Sequence, residues 1–427
     1  RNFTALALEP LTERETRELV GALVAGAPQA IHAKIAERSG GNPFFAIELA
    51  RGLEGGSAAP DSLPDTVQEA VQERLDALAP RERAVLQAAA VAGRAFRPAT
   101  LQAAMEPQAP AEVATALENL QARDLITPDA GGGYAFRHIL IRDVAYGVLS
   151  RAERIRLHLV VARWLEDFAS GRVDEFVELI AYHYSQAAQL AQQSAVPLDT
   201  PVDVARAVEY LERAAALASQ AGALFEARGH LERAISLAPE AEHGRLYEAL
   251  GDRCGVLSQV AVPAYREALA LWRAAAHPEP LAGARLLRKL AMHLMRWHGG
   301  LSPDAAQRAE MAGWRAEAAL LAERADDVYE RWRLRVAGLF WYWWTGDSPA
   351  ASAPALMAAG QAAADYFAAR GDWDAFSEAL DGAGTLGYMT GDWEATFAAS
   401  KRRLAAPALS QFERIDALNT VVWAQSN

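Results

Sequence analysis

Apolar positions in the first part of the chain recur at helical spacing. Thr12 followed three residues later by Glu15 is a capping-box pattern, and Leu19, Val20, Leu23 and Val24 come next on one helical face. The same spacing predicts helices over 29–38, 43–53 and 65–78, the last capped by Asp65 after the linker-like run Gly55-Gly56-Ser57-Ala58-Ala59-Pro60. Thr4 to Leu8 alternates weakly and stops at Glu9-Pro10, which reads as a short strand ending in a turn. From Pro80 the pattern changes to three short helices, over 80–92, 98–105 and 111–123. Leu125-Ile126-Thr127 and Tyr134-Ala135-Phe136 then flank a glycine-rich turn. That order is a winged helix.

From about Val202 onward the pattern is helical and alanine-rich, with turn signals at short intervals, as in an α-solenoid of helix pairs. If Pro239 closes a tetratricopeptide-like unit, Ala227, Leu231 and Ala234 are its small, large and small packing positions, with Leu211 and Ala215 on the preceding helix. Tyr265 and Ala268 repeat Leu231 and Ala234 at 34 residues, the period of that repeat. Farther on, Thr345-Gly346-Asp347, Arg370-Gly371-Asp372-Trp373 and Thr390-Gly391-Asp392-Trp393 each place a glycine to end one helix and an aspartate to cap the next. The expected fold class is therefore mainly α: a helical lid and a winged-helix domain followed by a TPR-like α-solenoid. Its expected bounds are 1–60 for the end of a nucleotide-binding domain and the lid, 61–150 for the winged helix, 151–200 for linking helices and 201–427 for the repeats.

Composition narrows the function. The 427 residues are 52% hydrophobic and 22% charged, enough apolar material for more than one core. The lone cysteine, Cys254, excludes an internal disulfide framework and a cysteine zinc site, and points to the cytoplasm. No apolar run approaches the roughly 20 residues that span a bilayer, so membrane insertion is not expected. The formal net charge of −12 disfavours a nucleic-acid partner. One stretch, 137–163, runs the other way, with six arginines against two acids, and the plainest reading of it is a solvated helix face. The third winged-helix segment carries Glu112 and Glu118 where a DNA-reading helix needs basic or amide side chains, so direct nucleic-acid binding is not expected there.

No phosphate-binding GxxxxGK[ST] loop, HExxH motif or clustered metal-ligand set is present, so the expectation is no catalytic residue and no metal ligand in this chain. Two local features carry more information. Gly40-Gly41-Asn42-Pro43-Phe44-Phe45 is a turn feeding a helix, which presents Pro43 as a flat apolar surface and leaves backbone donors free, although it is also a generic helix start. Phe136-Arg137-His138-Ile139-Leu140-Ile141-Arg142-Asp143 lies where the wing hairpin passes into a helix. His138 and Arg142, four apart, would share a face suited to an anion, or His138 would simply cap or pack. The run Phe340 with Trp341 to Trp344 either lines a ligand groove or is repeat core.

Taken in order, Leu8-Glu9-Pro10-Leu11, Gly41-Asn42-Pro43-Phe44-Phe45, Leu63-Pro64-Asp65-Thr66-Val67, Phe136-Arg137-His138, Asp143-Val144-Ala145-Tyr146 and Arg156-Leu157-His158 resemble the STAND class of signal-transduction ATPases. More narrowly, they resemble bacterial members joined to class III adenylate/guanylate cyclase or LuxR-type output domains. The resemblance covers about residues 4–190 by motif and the rest by repeat architecture. It implies that Pro43, with Gly41 and Asn42, lies against the adenine ring of ATP or ADP, and that His138 contacts the ADP β-phosphate, with Arg142 in the same motif. Arg137 and Ile139 depart from the Met and Asp of that family motif. The Walker A lysine and Walker B acid, and Mg with them, would lie upstream of Arg1. The chain begins at Arg1 rather than Met and stops within a helical pattern, so both ends read as cut from a longer protein.

Three functions are open on this reading. The first is the regulatory and sensor portion of a nucleotide-switched signalling protein, binding a protein or small-molecule ligand on its repeats and oligomerising on activation. Its full-length form would be an ATPase, and a cyclase if that output domain is joined to it. The second is a TPR-type interaction scaffold without nucleotide. The third is a winged-helix transcription regulator.

Overall fold

The computed structural model describes residues 8–24, 28–54, 63–105, 110–194, 200–255, 257–297 and 303–425. The fold is mainly α, a helical lid and winged helix followed by a TPR-like solenoid, and it falls into two compact units, Arg1–Asp203 and Val204–Asn427. The expected strand at Thr4 to Leu8 and the 55–60 linker lie almost wholly outside the described residues.

In the first unit, the lid is α1 (Glu13–Leu23), α2 (Gln29–Ser39) and α3 (Pro43–Glu54). Thr12 and Glu15 form the capping box that starts α1. Val20, Ile31, Ile35, Phe45, Leu49 and Ala50 make one apolar core. Helix α4 (Val67–Asp76) begins later than its sequence pattern suggests: its cap is Thr66, boxed with Glu69, and not Asp65, whose carboxylate instead faces Arg38 at 3.0 Å. Its faces divide, with Ala70 in the lid core and Val71 and Leu75 in the next one.

That next core is the winged helix. It comprises α5 (Pro80–Ala92), β1 (Ala95–Phe96), α6 (Pro98–Ala104), α7 (Pro110–Ala122), β2 (Ile126–Pro128) and β3 (Tyr134–Phe136). The sheet order is β1-β3-β2, antiparallel throughout, with Phe96 opposite Tyr134 and Ile126 opposite Phe136. The pattern revealed the β2–β3 hairpin but not β1, because two residues are too few to show alternation. Helix α8 (Ile139–Gly147) leaves the wing, and α9 (Arg151–Phe168) and α10 (Val173–Gln192) pack as a pair, α9 delivering Leu157 to the winged-helix core.

Among its described residues the second unit is helical from α11 (Val204–Gln220) to α22 (Gln411–Gln425). Successive helices pack as neighbours, including α11 with α12 (Leu224–Leu237), α13 (Glu240–Arg253) with α14 (Ser258–Ala274), and α15 (Pro280–Trp297) with α16 (Ala305–Arg324). Leu211, Ala215, Ala227, Leu231, Ala234, Tyr265 and Ala268, the positions picked out by the repeat, are all buried. The glycine turns behave as the sequence suggests in two cases of three. Asp372 caps α20 (Trp373–Thr390) and Asp392 caps α21 (Trp393–Leu404). Asp347 caps nothing: it accepts from Arg308, and α19 (Ala353–Ala368) starts at Ser352. The aromatic run is repeat core, with Phe340 and Trp344 buried and Arg315 lying over the Trp341 ring.

Candidate functional site

The turn that starts α3 is built by a close backbone approach. Gly41 has φ +80°, and a Cβ there would stand 2.4 Å from the Leu11 carbonyl oxygen and 2.8 Å from the Pro10 Cβ. Leu11 N donates to the Gly41 carbonyl at 2.9 Å, so the Glu9-Pro10-Leu11 segment is strapped to the Gly41-Asn42-Pro43 turn. Only glycine has both the backbone freedom and the absent side chain that this contact requires. Asn42 Oδ1 accepts from Phe45 N, which caps α3 and leaves Pro43 at the first helical position, exposed.

His138 comes to this turn. Its ring stacks on Phe44, with centroids 3.8 Å apart and planes 14° from parallel, while Phe44 reaches into the winged-helix core. The imidazole is the N-cap of α8, its Nδ1 accepting from Leu140 N at 3.2 Å. An accepting Nδ1 carries no proton, so Nε2 holds it as an N–H donor on an exposed ring. The stack ties His138 to Phe44, the residue that follows the exposed Asn42 and Pro43, while Gly41 itself is buried. An exposed imidazole N–H is a donor suited to an anionic group.

Arg142 is placed elsewhere. Its Nε donates to the Ala90 carbonyl at 2.9 Å, Nη1 pairs with Asp143 at 3.0 Å, and the guanidinium lies over the Tyr146 ring. One helical turn separates it from His138, but its side chain turns inward to α5. Three other arginines of 137–163 also bond to backbone carbonyls: Arg151 donates to that of Gln193, Arg154 to that of Gly147 and Arg156 to that of Ala104.

Sequence reasoning missed two sets of polar pairings. Asp124, in the left-handed region at φ +56°, accepts from Arg51 of α3 and faces Arg137 at 3.5 Å. Tyr146, His158 and His183 form a hydrogen-bonded row, with 3.1 Å from the tyrosine oxygen to His158 Nε2 and 2.9 Å between the two Nδ1 atoms. Burial, helped by the positive charge of Arg142, pushes His158 down to about 3 and His183 to about 4. Tyr146 and His158 each fall in a motif of the sequence, but pairings between residues this distant in sequence leave no local trace.

The second unit contains an open groove of about 780 Å³ bordered by Tyr265, Met292, His293, Arg296, Glu378 and Phe412. Its charges are internally compensated. Arg296 donates to Glu413 at 2.7 Å and Asp381 at 2.9 Å, Arg333 pairs with Glu378 at 2.8 Å, and Lys289 with Glu248 at 2.7 Å.

No protein-family model matches the chain, and no curated protein matches it. Among solved structures it is similar to a STAND protein with a tetratricopeptide repeat sensor from Pyrococcus horikoshii. The TM-score is 0.49 and the identity 12%, over 99% of this chain and 58% of that one. It is also similar to aspartyl phosphate phosphatase F from Bacillus subtilis, with TM-score 0.41 and 11% identity over 95% and 96% of the two chains. The chain therefore spans little more than half the length of the first of these. Among the described residues no group of three or more potential metal ligands occurs, and no helix is long and apolar enough to cross a membrane.

Proposed function

We propose that this chain is the lid, winged-helix and sensor portion of a nucleotide-switched signalling protein. The observation that supports the reading is the stack of His138 on Phe44, which links the start of α8 to the helix that Pro43 begins. An adenine ring against Pro43 and a phosphate oxygen on His138 would bridge the two subdomains, so ADP would favour their closed arrangement through contacts it makes only there. The chain holds no phosphate loop. ATP or ADP, with Mg²⁺, would be held jointly with a core that these residues complete rather than form. The solenoid would carry the sensed protein or small molecule, a role supported by its open groove, and relay occupancy to an output domain.

The test uses two variants in the complete natural protein. His138→Ala removes the ring, the cap and the donor, whereas His138→Phe keeps the stack on Phe44 and removes both the Nδ1 cap of α8 and the Nε2–H. A hydrogen bond to a charged phosphate is worth on the order of 1.5 to 3 kcal/mol, so both variants should weaken ADP binding roughly ten- to a hundred-fold. Both should lower the melting temperature through the lost cap, His138→Ala more so because it also loses the stack on Phe44. If His138→Phe leaves ADP affinity within about twofold, His138 is a packing residue and the nucleotide reading loses its main support. The interaction-scaffold reading would then stand on the groove alone.

A further inference from the structure

Asp124 lies where three segments meet. It follows α7, and its backbone adopts φ +56° with its N–H on the Gln121 carbonyl. On one side its carboxylate takes the Arg51 guanidinium from lid helix α3, and on the other it faces Arg137, the residue before His138. Arg137 is also held through its backbone, its N donating to the Leu125 carbonyl at 3.0 Å. Nearby, Arg74 of α4 donates to the Arg123 carbonyl at 2.6 Å and to Glu48 of α3 at 2.5 Å, so the α3–α4 side of the lid reaches the same turn twice. Glu48 is buried, whereas Asp124 and Arg137 are partly or mostly exposed.

We propose that Asp124 is a clasp: one carboxylate, shared by Arg51 and Arg137, holds the lid against the wing and keeps Phe44 stacked on His138. The geometry suits a releasable contact. An ion pair at this exposure adds little to global stability and is weakened by salt, so its loss loosens this edge of the contact while Phe44, Val71 and Leu75 still pack into the winged-helix core. The tether needs no nucleotide; its effect on how long ADP is retained rests on the function proposed above.

Asp124→Asn isolates the charge, because asparagine tolerates the left-handed backbone as well as aspartate does. Hydrogen–deuterium exchange on the full chain should show faster exchange, about three- to fivefold, in both 43–54 and 134–142, with 204–425 unchanged. Arg51→Gln should do the same to a smaller extent, because Asp124 keeps Arg137, and the double variant should be no faster than Asp124→Asn, which already removes both pairs. Unchanged exchange, an increase confined to 120–128, or additive effects in the double variant would overturn the clasp. Fluorescent ADP on the complete natural protein provides the separate arm. Faster ADP release from Asp124→Asn extends the clasp to nucleotide retention. A wild-type protein that binds no ADP sinks the nucleotide reading and leaves the exchange result to decide the clasp.

Discussion

Neighbouring residues of the same type do different work in the lid turn. Gly40 and Gly41 both have positive φ, but a Cβ at Gly40 meets nothing within 4 Å, whereas one at Gly41 collides with Leu11 and Pro10. Gly40→Ala should therefore cost only the left-handed backbone penalty, about 1–2 kcal/mol. Gly41→Ala carries that penalty and must also push back the strap at residues 10–11, so it should cost more and release Leu11 N from its bond to the Gly41 carbonyl. Amide exchange at Leu11 distinguishes the two variants: equal protection in both would show that the strap is not what demands glycine. The same attention to single atoms separates His138 from Arg142. Both belong to one motif, yet capping α8 leaves the histidine an outward donor, while the arginine is taken up by Ala90, Asp143 and the Tyr146 ring.

At the scale of elements, α8, α9 and α10 are joined by the row Tyr146, His158 and His183. Both histidines are buried and, with pKa values pushed down to about 3 and 4, stay neutral in the fold, whereas in the unfolded chain they titrate near 6.5. The unfolded state therefore binds more protons below that value, and stability falls with pH. The contribution is fully present above about pH 6.5 and is lost progressively as pH drops towards 4. Between pH 7.5 and 5 the pair should cost roughly 2–4 kcal/mol. A His158→Gln, His183→Gln double variant should show a shallower decline in melting temperature over that range than the wild-type chain. Parallel curves would mean that the row does not control acid sensitivity.

Across the second unit, a buried ionic network joins helices far apart in sequence, beside the apolar core. Arg296 of α15 and Arg403 of α21 share Glu413 and Asp416 of α22 and Asp381 of α20, with Ser377 donating to Glu413 at 2.7 Å. Burial raises the Asp381 carboxyl despite both guanidiniums. For Glu413 burial also acts upward, but Arg296, Arg403 and Ser377 outweigh it and hold the group down to about 2. Arg403 is fully buried, so Arg403→Ala strands carboxylates in the interior and should cost on the order of 3–5 kcal/mol. Arg402→Ala breaks an exposed pair with Asp365 and should cost less than about 1 kcal/mol. Denaturant unfolding of the two variants checks this, and similar midpoints would show that the buried network is not holding α15, α20, α21 and α22 together.

Much of this architecture was legible one segment at a time. Capping boxes, three short helices before a glycine-rich hairpin, and a 34-residue recurrence of small and large positions are local signals, because helix periodicity and turn chemistry act over a few residues. They marked out the lid, the winged helix and the solenoid, and they brought Gly41, Asn42, Pro43 and His138 to notice as two separate motifs. Spacing alone misplaced the cap of α4, gave Asp347 a helix to cap, and put Arg142 on the face of His138. A cap is settled by which oxygen reaches an open amide, and an arginine four residues along a helix goes where carbonyls and rings accept it. That His138 would lie flat on Phe44, that Asp124 would link Arg51 to Arg137, and that Arg403 would be buried among three carboxylates are pairings between distant segments. Side-chain type sets what each residue can bond. Only packing of the whole chain decides what it meets.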